Sequence, residues 1–169
     1  MTKEFIFIMD LIGTVAFAIS GSMTAVEQGM DMFGILILAL TTATGGGFIR
    51  DLTIGSLPPV VFRNPIYMIL SFLTAGIVFL VLKFQSLRPH SERVRLVYEK
   101  TLLITDSMGL AAFTVDGVCA GLAQPGTNLF LAVFLGVITG VGGGILRDLF
   151  AGKKPVTVQN PPLHGHSFA

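Results

Sequence analysis

Charge is what this sequence has least of. Only 12% of its 169 residues are charged, against about 25% in a soluble domain. The apolar fraction, 52%, is ordinary, so the depletion of charge is what drives the mean hydropathy to +0.79. That combination points to a membrane protein. The net charge of +1 leaves no electrostatic case for nucleic acid. Cysteine is nearly absent as well. The single Cys119 can form neither an internal disulfide nor a cysteine metal cluster. No Ser/His/Asp or Cys/His set is placed for catalysis, so an enzyme is not expected and no cofactor is called for. His164 and His166 lack carboxylate or cysteine company and read as a tail, not a metal site. Gly152-Lys153-Lys154 misses the spacing of a phosphate-binding loop.

What is present is long apolar runs. Five segments suit a membrane span of roughly 20 helical residues: Phe5–Val26, Met32–Ile54, Ile66–Leu82, Thr101–Ala123 and Asn128–Ala151. The first could pass for a signal peptide, but Asp10 interrupts its apolar core, and the segment has an internal counterpart. The one polar stretch, 83–100, contains Lys83, Arg88, Arg93, Arg95 and Lys100. Positive loops stay cytoplasmic, which puts the N-terminus outside and eight of the eleven Lys/Arg inside.

The chain repeats itself. At an offset of 96, Asp10, Gly13, Phe17 and Gly21 recur as Asp106, Gly109, Phe113 and Gly117. One residue enters the next turn, and "GGGFIRD" at 45–51 then recurs as "GGGILRD" at 142–148. Asn64-Pro65 recurs as Asn160-Pro161. The first unit has three helices, an odd number, so tandem copies lie in the membrane with opposite topology, a signature of transport proteins. The expected fold is therefore all-α and integral to the membrane. Residues 1–82 form the first three-helix repeat, 83–100 a cytoplasmic basic loop, and 101–169 a second repeat that lacks its third helix.

The glycine triplets raise a choice. A helical Gly costs about 1 kcal/mol relative to Ala, so three cost about 3. They can break the helix and expose carbonyls to a wet path. They can also let helices approach closely, as the ridge Ala39–Ala43–Gly47 and its counterpart Gly136–Gly140–Gly144 suggests. The sequence reading takes both, with Gly45, Gly46, Gly47, Gly142, Gly143 and Gly144 as breaks near the midplane. Among the charges, equal depth predicts two cross-helix pairs, Asp10 with Arg50 and Asp106 with Arg147. Adjacent Arg50 and Asp51 point different ways on a helix, so pairing between them is less favoured; Asp148 follows Arg147 in the same way in the second copy. Asp116, whose counterpart is Ser20, marks a second break or a side chain facing a wet cavity.

The doubled GGG-x-x-RD segment, the RNP and QNP that follow, and the paired three-helix units resemble the bacterial TRIC-type family, also described as a tandem glycine-transporter domain. The resemblance spans roughly residues 5–162. It implies a homotrimer in the bacterial inner membrane, with seven helices per protomer and a potassium-permeable pore in each. Carried over, the two glycine triplets would be pore kinks, and Arg50 and Arg147 pore-associated basic residues. Helices six and seven are absent from this sequence. The function expected is passive transport of monovalent cations across a lipid bilayer. The alternatives are a secondary transporter for glycine or another small amino acid, and a non-transporting membrane fragment.

Overall fold

The computed structural model describes residues 3–84 and 92–152, and every regular element among them is helical. The helices are α1 (Lys3–Glu27), α2 (Met32–Thr53), α3 (Val60–Arg63), α4 (Ile66–Phe84), α5 (Glu92–Leu122) and α6 (Leu129–Phe150). Four of them, α1, α2, α5 and α6, are long and apolar enough to cross a membrane, and α4 carries a shorter apolar stretch. The protein is an integral membrane, all-α fold.

Sequence chemistry sets the helix ends in matched pairs. Asp31 caps α2 by accepting the Gly34 N–H at 2.7 Å, and Asn128 caps α6 by accepting the Leu131 N–H at 2.8 Å. Past the far ends, Gly55 and Gly152 take φ of 70° and 67°, left-handed values that glycine adopts without strain. Mid-helix hydroxyls are satisfied inside their own helices. Thr42 donates to the Leu38 carbonyl, and its counterpart Thr139 donates to the Leu135 carbonyl, both at 2.6 Å.

The two halves of the chain pack on one another through matched helices. α1 packs on α2, α4 and α5, while α6 packs on α5 and α2. Phe17 and Phe113 meet where α1 crosses α5, ring centroids 5.3 Å apart. Each ring lies over the other repeat's glycine: a Cβ on Gly13 would strike Phe113, and one on Gly109 would strike Phe17. Among the described residues no helix lies on the α5–α6 face as α4 lies on the α1–α2 face.

Two boundaries differ from the sequence reading. α5 starts at Glu92, not Thr101. At 31 residues it exceeds the roughly 20 that span a bilayer, so its polar first turns continue the helix beyond the apolar stretch. The short α3 was not foreseen. The backbone N–H of its first residue, Val60, donates to Asp51 Oδ2 at 2.7 Å, which fixes α3 against the end of α2.

The glycine triplets do not break their helices. α2 and α6 run as continuous helix through 45–47 and 142–144. Gly45, Gly46, Gly142 and Gly143 are buried where α2 crosses α6. A Cβ on Gly46 would collide with the Thr139 carbonyl, and one on Gly143 with the Thr42 carbonyl. The absent side chains let two backbones touch, so the carbonyls near the crossing face protein and not an open path. Likewise α5 passes Asp116-Gly117 unbroken; a Cβ on Gly117 would meet the Leu135 carbonyl of α6.

Candidate functional site

Each repeat ends its second helix with an arginine in the last turn, Arg50 on α2 and Arg147 on α6. A cation there is favoured by the helix dipole. Both side chains are nonetheless buried, with 8% and 4% of their side-chain surface exposed. A buried guanidinium needs anionic partners, and the fold supplies them from two directions.

The first partner is the next residue along. Arg50 Nε and Nη2 reach Asp51 Oδ1 at 2.9 and 2.8 Å. Arg147 does the same to Asp148 Oδ1, at the same distances. This corrects the expectation that pairing between adjacent Arg and Asp is less favoured. Their Cβ atoms do diverge, but the arginine stem is long enough to fold back onto the neighbouring carboxylate.

The second partner comes from across the bundle. Arg147 Nη1 binds Asp106 Oδ2 at 2.6 Å and also contacts Ser20 Oγ; Ser20 in turn donates to Asp106 Oδ1 at 2.6 Å. The Asp106–Arg147 pair is the one predicted from sequence. Arg50 behaves differently. Its Nη1 binds Asp116 Oδ2, not Asp10. Asp10 instead lines the small cavity described below, together with Tyr67 of α4. The predicted Asp10–Arg50 pair is therefore absent. Equal depth in the membrane placed the two residues at one level, but Asp116 decides which way Arg50 turns.

Two cavities meet at this cluster. One, of about 290 Å³, is lined by Arg50, Asp51, Asp116, Cys119, Ile6 and Ala123. The other, about 30 Å³, runs along α1, α2 and α4 and is lined by Asp10, Thr14, Thr44, Gly47, Tyr67 and again Arg50 and Asp51. About 30 Å³ is room for a water molecule. Arg50, Asp51 and Val60 line both cavities. Asp116 lines the larger cavity.

The site thus gathers Asp10, Arg50, Asp51 and Asp116 at one end, and Asp106, Arg147 and Asp148 at the other. Of the glycines, Gly47 lines the smaller cavity, and Gly144 has open space where a Cβ would stand. Sequence reasoning missed Tyr67, and it missed Ser20 as an arginine partner. It also missed Tyr98, whose hydroxyl donates to the Met23 carbonyl at 2.6 Å and ties α5 to the end of α1. The available signal was scarcity: these are the chain's only two tyrosines. Among the described residues no cluster of metal-ligating side chains forms. His164, His166 and the Asn160-Pro161 motif lie outside the described residues.

Known proteins of the same pattern share this architecture. A sequence model described as Glycine transporter matches residues 7–83 and 103–164. A UPF0126 membrane protein of Deinococcus radiodurans is 40% identical over 87% of this chain and 63% of its own length. The inner membrane protein YadS of Escherichia coli is 34% identical over 91% of this chain and 70% of its own. The chain therefore spans about two thirds of these relatives. Among solved structures, the TRIC trimeric intracellular cation channel orthologue from Rhodobacter sphaeroides matches with a TM-score of 0.79 and 33% identity, over 94% of this chain and 76% of that one. A prokaryotic TRIC channel crystallised in 0.5 M KCl matches with a TM-score of 0.84 and 28% identity, over 93% of this chain and 75% of that one. With its doubled repeat, its glycine crossing and its two buried arginines, the chain belongs to the TRIC-type, glycine-transporter-domain family of membrane proteins.

Proposed function

We propose that the protein provides a passive path for monovalent cations, potassium among them, across the bacterial inner membrane. The observation that carries this reading is the pair of cavities meeting at Arg50 and Asp51, inside a fold similar to that of cation channels. Acidic side chains outnumber the arginine there. Asp10, Asp51 and Asp116 surround Arg50, and intramembrane ionisable residues ordinarily mark a transport pathway. Carboxylates and helix hydroxyls such as Thr14 and Thr44 can replace part of a cation's hydration shell. In this reading Gly47 and Gly144 border the path, and Gly45, Gly46, Gly142 and Gly143 set the crossing beside it. Arg50, Asp51, Asp10 and Asp116 tune one end, and Arg147, Asp148 and Asp106 the other.

The same reading carries the remaining expectations. Residues 1–82 form the first repeat and 101–169 the second, with the basic stretch 83–100 cytoplasmic and the N-terminus outside. The assembly is a homotrimer. A second reading, uptake of glycine or a similar small amino acid, is favoured by the description of the matching family. In that case a buried arginine would hold the substrate carboxylate.

Reconstitution of the purified protein into planar bilayers separates the two. Unitary potassium currents with no saturable glycine flux support the channel. Saturable glycine uptake without unitary currents would sink it.

A further inference from the structure

The middle of the bundle holds a feature that the ion-pair clusters at its ends do not explain. Phe17 lies near the centre of the apolar run 5–26, and Phe113 near the centre of 101–123, so both rings stand midway along their spans. They are 2% and 3% exposed, with their planes tilted by 60°. Ala18 and Ala43 complete the apolar cluster around them. Each ring fills the space that a side chain would take on Gly13 or Gly109, so together they close the gap between α1 and α5. A Cβ on Gly143 would come within 3.0 Å of Phe17, which sets that ring against α6 as well. Phe113 also faces the small cavity. The lining of that cavity on α2 runs from Asp51 inwards to Ala43, and Ala43 is a member of the ring cluster. Phe113 therefore stands at the deep end, with Thr14 and Thr44 before it. In the second repeat Leu110 and Val141 take the positions of Thr14 and Thr44, so these two hydroxyls have no counterpart beyond the rings.

We propose that Phe17 and Phe113 form the apolar constriction of the cation path, a two-ring septum that interrupts its water midway across the membrane. This rests on the channel reading above and names the residues that limit its conductance. A hydrophobic constriction resists ions by staying dry, not by repelling charge. The side chains of this cluster, two phenyl rings and two methyl groups, offer a cation no oxygen. Backbone does not supply one either. The Thr42 and Thr139 carbonyls beside the cluster are covered by Gly143 and Gly46 at the crossing of α2 and α6. A cation entering from the Asp10 side therefore loses its polar lining at Phe113. The septum acts through the polarity of the ring positions, which separates it from a role in packing alone.

Two replacements of similar length and opposite polarity test this, Phe113→Gln and Phe113→Met. Each is read in two ways on the full chain. The first is unitary potassium conductance in planar bilayers. The second needs no current: the rate at which Ag⁺, a small monovalent cation that binds thiolate, reacts with Ala18→Cys in a Cys119→Ser background in detergent. A thiol in dry apolar surroundings ionises poorly and reacts slowly. Phe113→Gln should raise both the conductance and the reaction rate about tenfold, the factor that follows from lowering a barrier by about 1.4 kcal/mol. Phe113→Met should leave both close to the starting protein. Ala43→Ser adds one oxygen to the same cluster and keeps both rings. It should give a smaller rise in both readouts, and it keeps the test decisive if Phe113→Gln does not fold. Equal effects of Gln and Met at position 113 overturn the septum, as does an unchanged Ala43→Ser. If no protein passes potassium current while the thiol rates separate as expected, the channel reading fails and the dry septum stands. If current is present and neither readout separates Gln from Met, the septum alone fails.

Discussion

The two ends of the molecule use the same motif to different depth. At the Arg50 end the cross-bundle acid, Asp116, has only 9% of its side-chain surface exposed. At the Arg147 end the corresponding ion-pair partner, Asp106, has 31% exposed. The difference follows from what covers each site. α4 packs on α1 and α2 at the first end, whereas among the described residues no helix lies on α5–α6 in that way at the second. A repeated sequence therefore builds two ion-pair clusters whose bridging carboxylates differ in exposure. Burial, not motif, determines how much each arginine matters.

Removing the arginines should break the comparison most strongly. Arg50→Leu strands Asp51 and Asp116 in a buried site, and loss of one partner of a buried pair costs about 3–5 kcal/mol. Arg147→Leu should cost clearly less, because solvent screens Asp106. Chemical or thermal unfolding in detergent reads the two in parallel. Equal losses would mean that the two ends are energetically equivalent and that their different exposure is unimportant.

The next effect is at the crossing of α2 and α6, where the two repeats are alike. Gly46→Ala and Gly143→Ala each drive a methyl group into a backbone carbonyl of the other helix, which cannot move aside as a side chain would. Overpacking of this kind costs about 1–3 kcal/mol. The two losses should match within error in the same unfolding experiment. A mismatch would show that the crossing is not shared evenly by the repeats.

A smaller effect is expected from Tyr98→Phe, which removes the hydroxyl that donates to the Met23 carbonyl. A hydrogen bond of this type contributes about 0.5–1.5 kcal/mol. Unfolding should register that loss. Hydrogen exchange should localise it to the last turn of α1, where the carbonyl lies.

How much of this was legible in the sequence depends on what kind of constraint each residue carries. The sequence repeat was legible because Gly13, Gly21 and Gly46 tolerate no side chain where helices cross, and they recur as Gly109, Gly117 and Gly143 at offsets of 96, 96 and 97. The Asp106–Arg147 pair was legible from depth alone. The Asp10–Arg50 pair was misread because depth gives height in the membrane and not direction around a helix. Direction was set by Asp116 on another helix. The triplets were misread as breaks because a break and a close approach both demand the absence of a Cβ. Only the neighbour across the gap distinguishes them.

That ambiguity is resolved residue by residue within one triplet, and the smallest prediction exploits it. Gly143 faces the Thr42 carbonyl, but Gly144, one residue on, has nothing within reach of an added methyl group. A helical Gly is less stable than Ala by roughly 0.5–1 kcal/mol, and at Gly144 no clash opposes that gain. Gly144→Ala should therefore raise the melting temperature while its neighbour Gly143→Ala lowers it. Gly47, the counterpart of Gly144, offers similar tolerance but lines the small cavity beside Arg50. Its replacement by Ala should leave stability equal or higher and reduce unitary potassium current, because the methyl group occupies part of an already narrow space. A stability loss at Gly144 would mean that the triplets are needed for backbone flexibility. An unchanged current at Gly47 would move the path away from the Arg50 cavity and toward the exposed face of α6.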